Sequence, residues 1–425
     1  MEWLMIFIFV AGYLAIAFEH GIKINKAASA LITGVLCWTI YIIFTPDKAL
    51  VTSQLATHIS TISGILFFLL GAMVIVELID AHDGFDLVTR RIKTTDKRQI
   101  LWITGILTFC LSAILDNLTT TIIMISLLRK ILVEREERLL FAGLVVIAAN
   151  AGGAWSPLGD VTTTMLWMGG QITALNIMKM LFLPSLVCLL IPLLLLSRKI
   201  KGTVVRDEKL EDIILDSTPY ERNAVFGLGI TAFLFVPVFK TLTQLPPYMG
   251  MLLGLGGMWV FTEFIHNKKD EAEKGLLSVN HALRKIDTPS ILFFLGILIA
   301  VTALESVGVL HHLAAWLDRS VGNVTAIGVL IGFLSAIVDN VPLVAATQGM
   351  YDLTTYPPDH FFWELIAYCA GTGGSTLIIG SAAGVAAMGM ENISFFWYLK
   401  RISVLAAIGY LSGVAAYVLQ YALLS

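Results

Sequence analysis

Charge is scarce in this chain of 425 residues: Asp, Glu, Lys and Arg make up 14%, where an ordinary soluble domain carries roughly 25%. That shortage leaves no stretch from which a water-facing globular domain could be built. The formal net charge is −3, and there is no basic tail and no basic stripe interleaved with aromatics, so nucleic acid is excluded as a partner. Cysteine carries no signal either. Cys37, Cys110, Cys188 and Cys369 each lie in an apolar run, none with CxxC spacing, and read as small hydrophobes. The first apolar run lacks a basic leader and a small-residue cleavage site, so it is expected to be a helix rather than a cleaved signal.

Apolar sequence is what the chain has in excess. Hydrophobic residues make up 57% of it, in runs near the ~20 residues that a bilayer core requires. The pattern predicts an all-α polytopic membrane protein with spans at 3–18, 27–44, 60–79, 139–170, 174–197, 223–240, 247–265, 288–305, 361–390 and 402–423, and hairpins at 99–132 and 322–350. With that arrangement, 24 of the 28 Lys and Arg residues fall in loops on one side. The positive-inside rule makes that side cytoplasmic, which predicts a multi-pass protein of the cell (inner) membrane with both termini outside.

The hairpins are required by a repeated hexapeptide. "SAILDN", Ser112 to Asn117, returns as "SAIVDN", Ser335 to Asn340, and an ionised carboxylate inside apolar sequence is costly. About 15 residues flank the first Asp-Asn pair on each side, which as helix reach ~22 Å, so each arm stops partway across. Asp116 or Asn117 can cap the second arm, and Pro342 falls in the first turn of the other copy, where proline is tolerated. Two more segments recur in the same order. "ILFFL" occurs at 65–69 and 291–295, and "GGAWSPLGD" at 152–160 aligns with "GGSTLIIGS" at 373–381. The two copies run in opposite directions through the predicted topology, an inverted repeat that points to a secondary transporter whose site lies where the halves meet. The expected organisation is N-terminal scaffold helices at 1–59, a first repeat at 60–198 and connecting loops and scaffold helices at 199–285. A second repeat with the C-terminal helix fills 286–425.

Candidate ligands cluster at these interruptions. Asp116 and Asn117 at one tip are expected to meet Asp339 and Asn340 at the other, and buried carboxylates there need a cation or a proton. "NAGGAWSPLGDVTT" breaks a span with Gly152, Gly153, Pro157 and Gly159, which a membrane tolerates only where the freed backbone is buried in protein or lines a cavity. Asn150, Asp160, Thr162 and Thr163 surround that break; its partner offers Thr372, Ser375 and Ser381 but no acid. Close helix packing explains the glycines without explaining Asp160. Glu77, Asp80 and Glu305 sit near span ends and read as solvated. The eight histidines fall at span ends or in loops, with a pH-sensing role as the alternative to simple solvation.

On "LDNLTTT", "NAGGAWSPLGDVTT" and "SAIVDNVPL" the chain resembles the NhaD-type sodium/proton antiporters, part of a wider group that also holds dicarboxylate and arsenite carriers. The resemblance covers nearly the whole chain. It implies exchange of Na+ or Li+ for H+ without a cofactor, by a homodimer whose scaffold holds a moving transport domain. It also maps the polar membrane residues onto Asp116, Asn117, Asn150, Asp160, Thr162, Thr163, Ser335, Asp339, Asn340 and Ser375, with Na+ held at Asp116, Asn117, Asp160, Asp339 and Asn340. A sodium-coupled dicarboxylate carrier of the same architecture is the alternative, opposed by the excess of acids. An intramembrane aspartyl protease is a remote one, because Pro157-Leu158-Gly159-Asp160 departs from its Gly-x-Gly-Asp signature. No enzyme activity is expected.

Overall fold

The computed structural model describes residues 1–17, 19–85, 87, 94–132, 134–204, 218–267, 275, 277–337 and 340–424. In chain order, apart from a single helical turn at Glu19–Ile22, the helices are α1 (Glu2–Ala17), α2 (Lys26–Phe44), α3 (Lys48–Ala81), α4 (Lys97–Ser112), α5 (Asn117–Ile131), α6 (Arg135–Ala154), α7 (Val161–Met168), α8 (Ala174–Ser197), α9 (Pro219–Thr243) and α10 (Pro247–Ile265). They continue with α11 (Val279–Lys285), α12 (Thr288–Ser306), α13 (Val309–Ser320), α14 (Val324–Ser335), α15 (Asn340–Met350), α16 (Phe361–Gly373), α17 (Ala382–Glu391), α18 (Phe395–Arg401) and α19 (Ser403–Leu424). Among the described residues, eight helices are long and apolar enough to cross a membrane. The protein is an all-helical polytopic membrane protein.

Capping residues set most of the boundaries. Asp47, Asp96, Asp116, Asp160, Ser278, Asp287, Asn323 and Ser381 each accept a hydrogen bond from a backbone N–H in the first turn of the helix that follows, satisfying donors that have no partner inside the helix. Two features were not foreseen. Helix α3 begins at Lys48 rather than near residue 60, because Asp47 caps it and no breaker interrupts the polar stretch that follows. Between 305 and 322 lies α13, which buries Leu310 and Ala314 and exposes Leu313 and Trp316, an amphipathic helix suited to a membrane interface.

The two predicted hairpins fall on the helix pairs α4–α5 and α14–α15, and the two predicted broken spans on α6–α7 and α16–α17. Within each copy the hairpin's first arm lies directly on the broken helix's first half, α4 on α6 and α14 on α16. Glycines allow the contact. A Cβ at Gly152 would lie 2.3 Å from the Phe109 carbonyl oxygen, and one at Gly373 would lie 2.1 Å from that of Gly332. Ser112 Oγ donates to the Ala149 carbonyl at 2.6 Å, and Ser335 Oγ to that of Ala370 at 2.9 Å. These contacts fall at corresponding positions of the two copies, so the sequence repeat is also a repeat of packing. The second arms cross over, α5 packing against α17 and α15 against α7.

An ion-pair clamp secures one crossover. Glu391, 4% exposed at the end of α17, accepts from Arg129 Nε at 2.7 Å and Arg138 Nε at 2.6 Å. Removing one partner of a buried charged pair strands the others. Glu391→Gln is therefore expected to lower unfolding stability by about 2 kcal/mol, read as a reduced midpoint of thermal unfolding in detergent. A midpoint equal to wild type would show that the clamp adds nothing. The basic loops also meet each other: Val204 N donates to the Thr95 carbonyl at 2.8 Å and Lys97 N to that of Gly202 at 3.1 Å.

Candidate functional site

Four half-helices begin at one place. The N-termini of α5, α7, α15 and α17 converge there, together with the C-terminal ends of α4, α6, α14 and α16, so the centre collects positive helix starts and carbonyl-bearing helix ends. Asp160, 2% exposed, is the hub. Its Oδ1 accepts from the Thr162 backbone N–H and hydroxyl, both at 3.0 Å. Its Oδ2 accepts from Asn117 Nδ2 at 3.2 Å and Asn340 Nδ2 at 3.4 Å. The Asp-Asn segments of both hairpins are thus joined through the acid that only one broken helix supplies.

A second layer extends the network. Asn117 Nδ2 also donates to Asn150 Oδ1 at 3.0 Å. Asn150 Nδ2 donates to Ser375 Oγ at 3.0 Å and Ser381 Oγ at 2.9 Å, linking the first broken helix to the second. Asp116 differs from Asp160. It caps α5, accepting from Thr119 N at 2.8 Å and Thr119 Oγ1 at 2.6 Å, and remains half-buried. Both acids line one cavity of about 70 Å³, bounded on the other side by scaffold residues including Lys26, Phe68, Met73, Phe233 and Phe294.

The expected ligands therefore divide. Asp116, Asn117, Asn150, Asp160, Thr162, Asn340 and Ser375 are brought together. Thr163 and Ser335 are adjacent, but their hydroxyls donate to the carbonyls of Ala154, at 3.4 Å, and Ala370, so they tie helices together instead of pointing at the centre. Asp339 lies outside the described residues. Ser381 matters more than expected: it caps α17 and holds Asn150. Its alignment with Asp160 in the repeat was the signal for it. Glu391 had no local signal, since its arginines are 253 and 262 positions away.

Chemically, two carboxylates among neutral amides and hydroxyls form a set of hard oxygen donors suited to a small cation. At the opposite end of α7, Lys240 Nζ donates to the Trp167 carbonyl at 3.1 Å, a cation at a helix C-terminus.

A family model described as citrate transporter matches residues 13–366. The chain is 52% identical to sodium/proton antiporter 1 of Arabidopsis thaliana over 97% of its own length and 71% of that relative. It is 48% identical to sodium/proton antiporter 2 of the same plant, over 97% and 98%. With the Na+/H+ antiporter NhaD of Alkalimonas amylolytica it shares 31% identity, over 96% and 89%.

Proposed function

The chain belongs to the citrate transporter family, as one of its sodium/proton antiporter-like members and a transporter rather than an enzyme, and on that premise we propose that it exchanges Na+ for H+ across the membrane. The observation that carries the reading is the single cavity lined by Asp116 and Asp160, each at the start of a half-helix. A carboxylate that is ionised with Na+ and neutral with H+ makes the two ions rivals for one site. Exchange then follows whenever the occupied site changes the face to which it opens.

The proposal extends to Li+ as an alternative cation and to Asp339, next to Asn340 in the chain, as a further ligand. It also takes the two packing repeats as inverted in the membrane, with the hairpins and broken helices moving as a block against the scaffold in a homodimer. The basic loops face the cytoplasm across the cell (inner) membrane, with both termini outside. The cavity's position between scaffold and hairpins favours such movement, since the site lies on the seam.

Proteoliposomes with an imposed pH gradient test the reading. Proton movement on adding Na+ or Li+, and none on adding citrate or succinate, is the expected result. A response to the carboxylates alone would assign the protein to anion transport. Competition has its own signature. Below the site's pKa, a tenfold rise in proton concentration is expected to raise the apparent KM for Na+ by up to about tenfold per competing proton, with the maximal rate retained. A constant KM with a collapsing maximal rate would reject competition at the carboxylates.

A further inference from the structure

A second cavity, of about 260 Å³, lies between α3 and α5. It shares Met73, Leu118 and Thr119 with the cavity around Asp116, and Thr119 is hydrogen-bonded to Asp116. The two spaces are therefore neighbours across one residue layer. On the α5 side the lining includes Thr119, Ile123 and Ser126, which with Asp116 have the spacing of one helical face. From Asp116 to Ser126 that face is about 15 Å long. On the α3 side Met73, Glu77 and Asp80 repeat the pattern. The helices stand apart along this face instead of packing together.

Polar groups at both ends distinguish the cleft from a packing fault. Its inner end reaches Thr119, and its outer end carries Glu77, Asp80 and Asp287 with Lys285, whose Nζ lies 3.2 Å from Glu77 Oε1. That outer end belongs to the loops rich in Lys and Arg, because α3 leads into 80–98 and α11 follows 266–278. We propose that the cleft between α3 and α5 is the aqueous route by which the transported cation travels between the basic-loop face and Asp116. The carboxylates at its mouth raise the local cation concentration, and Lys285 offsets part of that attraction by pairing with Glu77. The proposal rests on the antiport reading and adds the path to it.

Cysteine labelling tests the route. Cys37, Cys188 and Cys369 are buried, so Cys110→Ala alone gives a background with little reactivity toward a membrane-impermeant thiosulfonate. Ser126→Cys is placed in it beside two markers, Lys201→Cys in a basic loop and Leu175→Cys, 83% exposed near the other end. Ser126→Cys is expected to react from the face that labels Lys201→Cys, at least about tenfold faster than from the face that labels Leu175→Cys. The adduct should cut Na+-driven proton movement at least about tenfold. Lys285→Gln should lower the apparent KM for Na+ about twofold to fivefold at low ionic strength and lose that effect at high ionic strength. Labelling from the Leu175 face, or full exchange with the adduct in place, overturns the route. Unlabelled protein that moves no protons on adding Na+ overturns the antiport reading itself, so the two failures are told apart.

Discussion

Asp116→Asn is expected to abolish sodium-dependent proton movement while the protein still folds and inserts. The amide keeps the shape of the carboxylate, and its oxygen can still accept from the Thr119 backbone N–H, so the cap of α5 survives in weakened form. What is lost is the alternation between an ionised and a protonated state. Asp116 is the more open of the two acids, half-buried against the cavity, whereas Asp160 is buried and accepts from the neutral donors of Asn117, Thr162 and Asn340. Asp160→Asn is accordingly the more damaging change to the centre's geometry. It turns one acceptor into an NH2 group, which must face either the Asn117 and Asn340 amides or the donors of Thr162. Proton movement is measured in proteoliposomes after size-exclusion chromatography has verified that the variant is folded. Full exchange by Asp116→Asn would remove that aspartate from the mechanism.

The second large effect is structural. A Cβ at Gly159 would lie 2.2 Å from the Ser112 carbonyl oxygen and 2.8 Å from the Gly153 Cα, against backbone that has no rotamer by which to yield. Gly159→Ala is expected to cost about 3 kcal/mol of stability, because overpacking a rigid contact forces backbone shifts, and to displace the hairpin tip from Asp160. Gly256→Ala, where nothing lies within 4 Å of the added carbon, is the matched control and should be neutral or slightly stabilising. Thermal unfolding in detergent reads both. Equal midpoints for the two variants would mean that the hairpin seat is not a tight backbone contact.

Much of this organisation was readable in the chain because its signals are local. The Asp-Asn hexapeptides and the two glycine-bearing segments announce breaks in helices, since a polar cap has few other uses in apolar sequence, and their glycines also serve close helix packing. The arm lengths follow from counting residues. What stayed hidden depends on distant pairing. Nothing near Ser335 tells whether its hydroxyl faces the centre or the Ala370 carbonyl, and nothing near Glu391 announces Arg129 and Arg138. The start of α3 was missed for a different reason: its first turns are polar, so a hydropathy reading ends where the helix does not. The cleft beside α5 was likewise out of reach, because Glu77 and Asp80 read singly as solvated span ends and acquire meaning only when they line it together with Thr119 and Ser126.

The crossover of the two halves also imposes an order in time. Asn150 is bonded to Ser375 and Ser381, 225 and 231 positions further on, and Asp160 to Asn340, 180 further on. At ordinary rates of synthesis, a chain segment of that length takes roughly 10 to 45 s to follow. Throughout that interval α6 and α7 hold a carboxylate and an amide whose second-half partners have not yet been made. The polar centre is therefore completed only once the second half has been made, and until then the first hairpin is an unfinished surface that the membrane-insertion machinery must keep from apolar lipid.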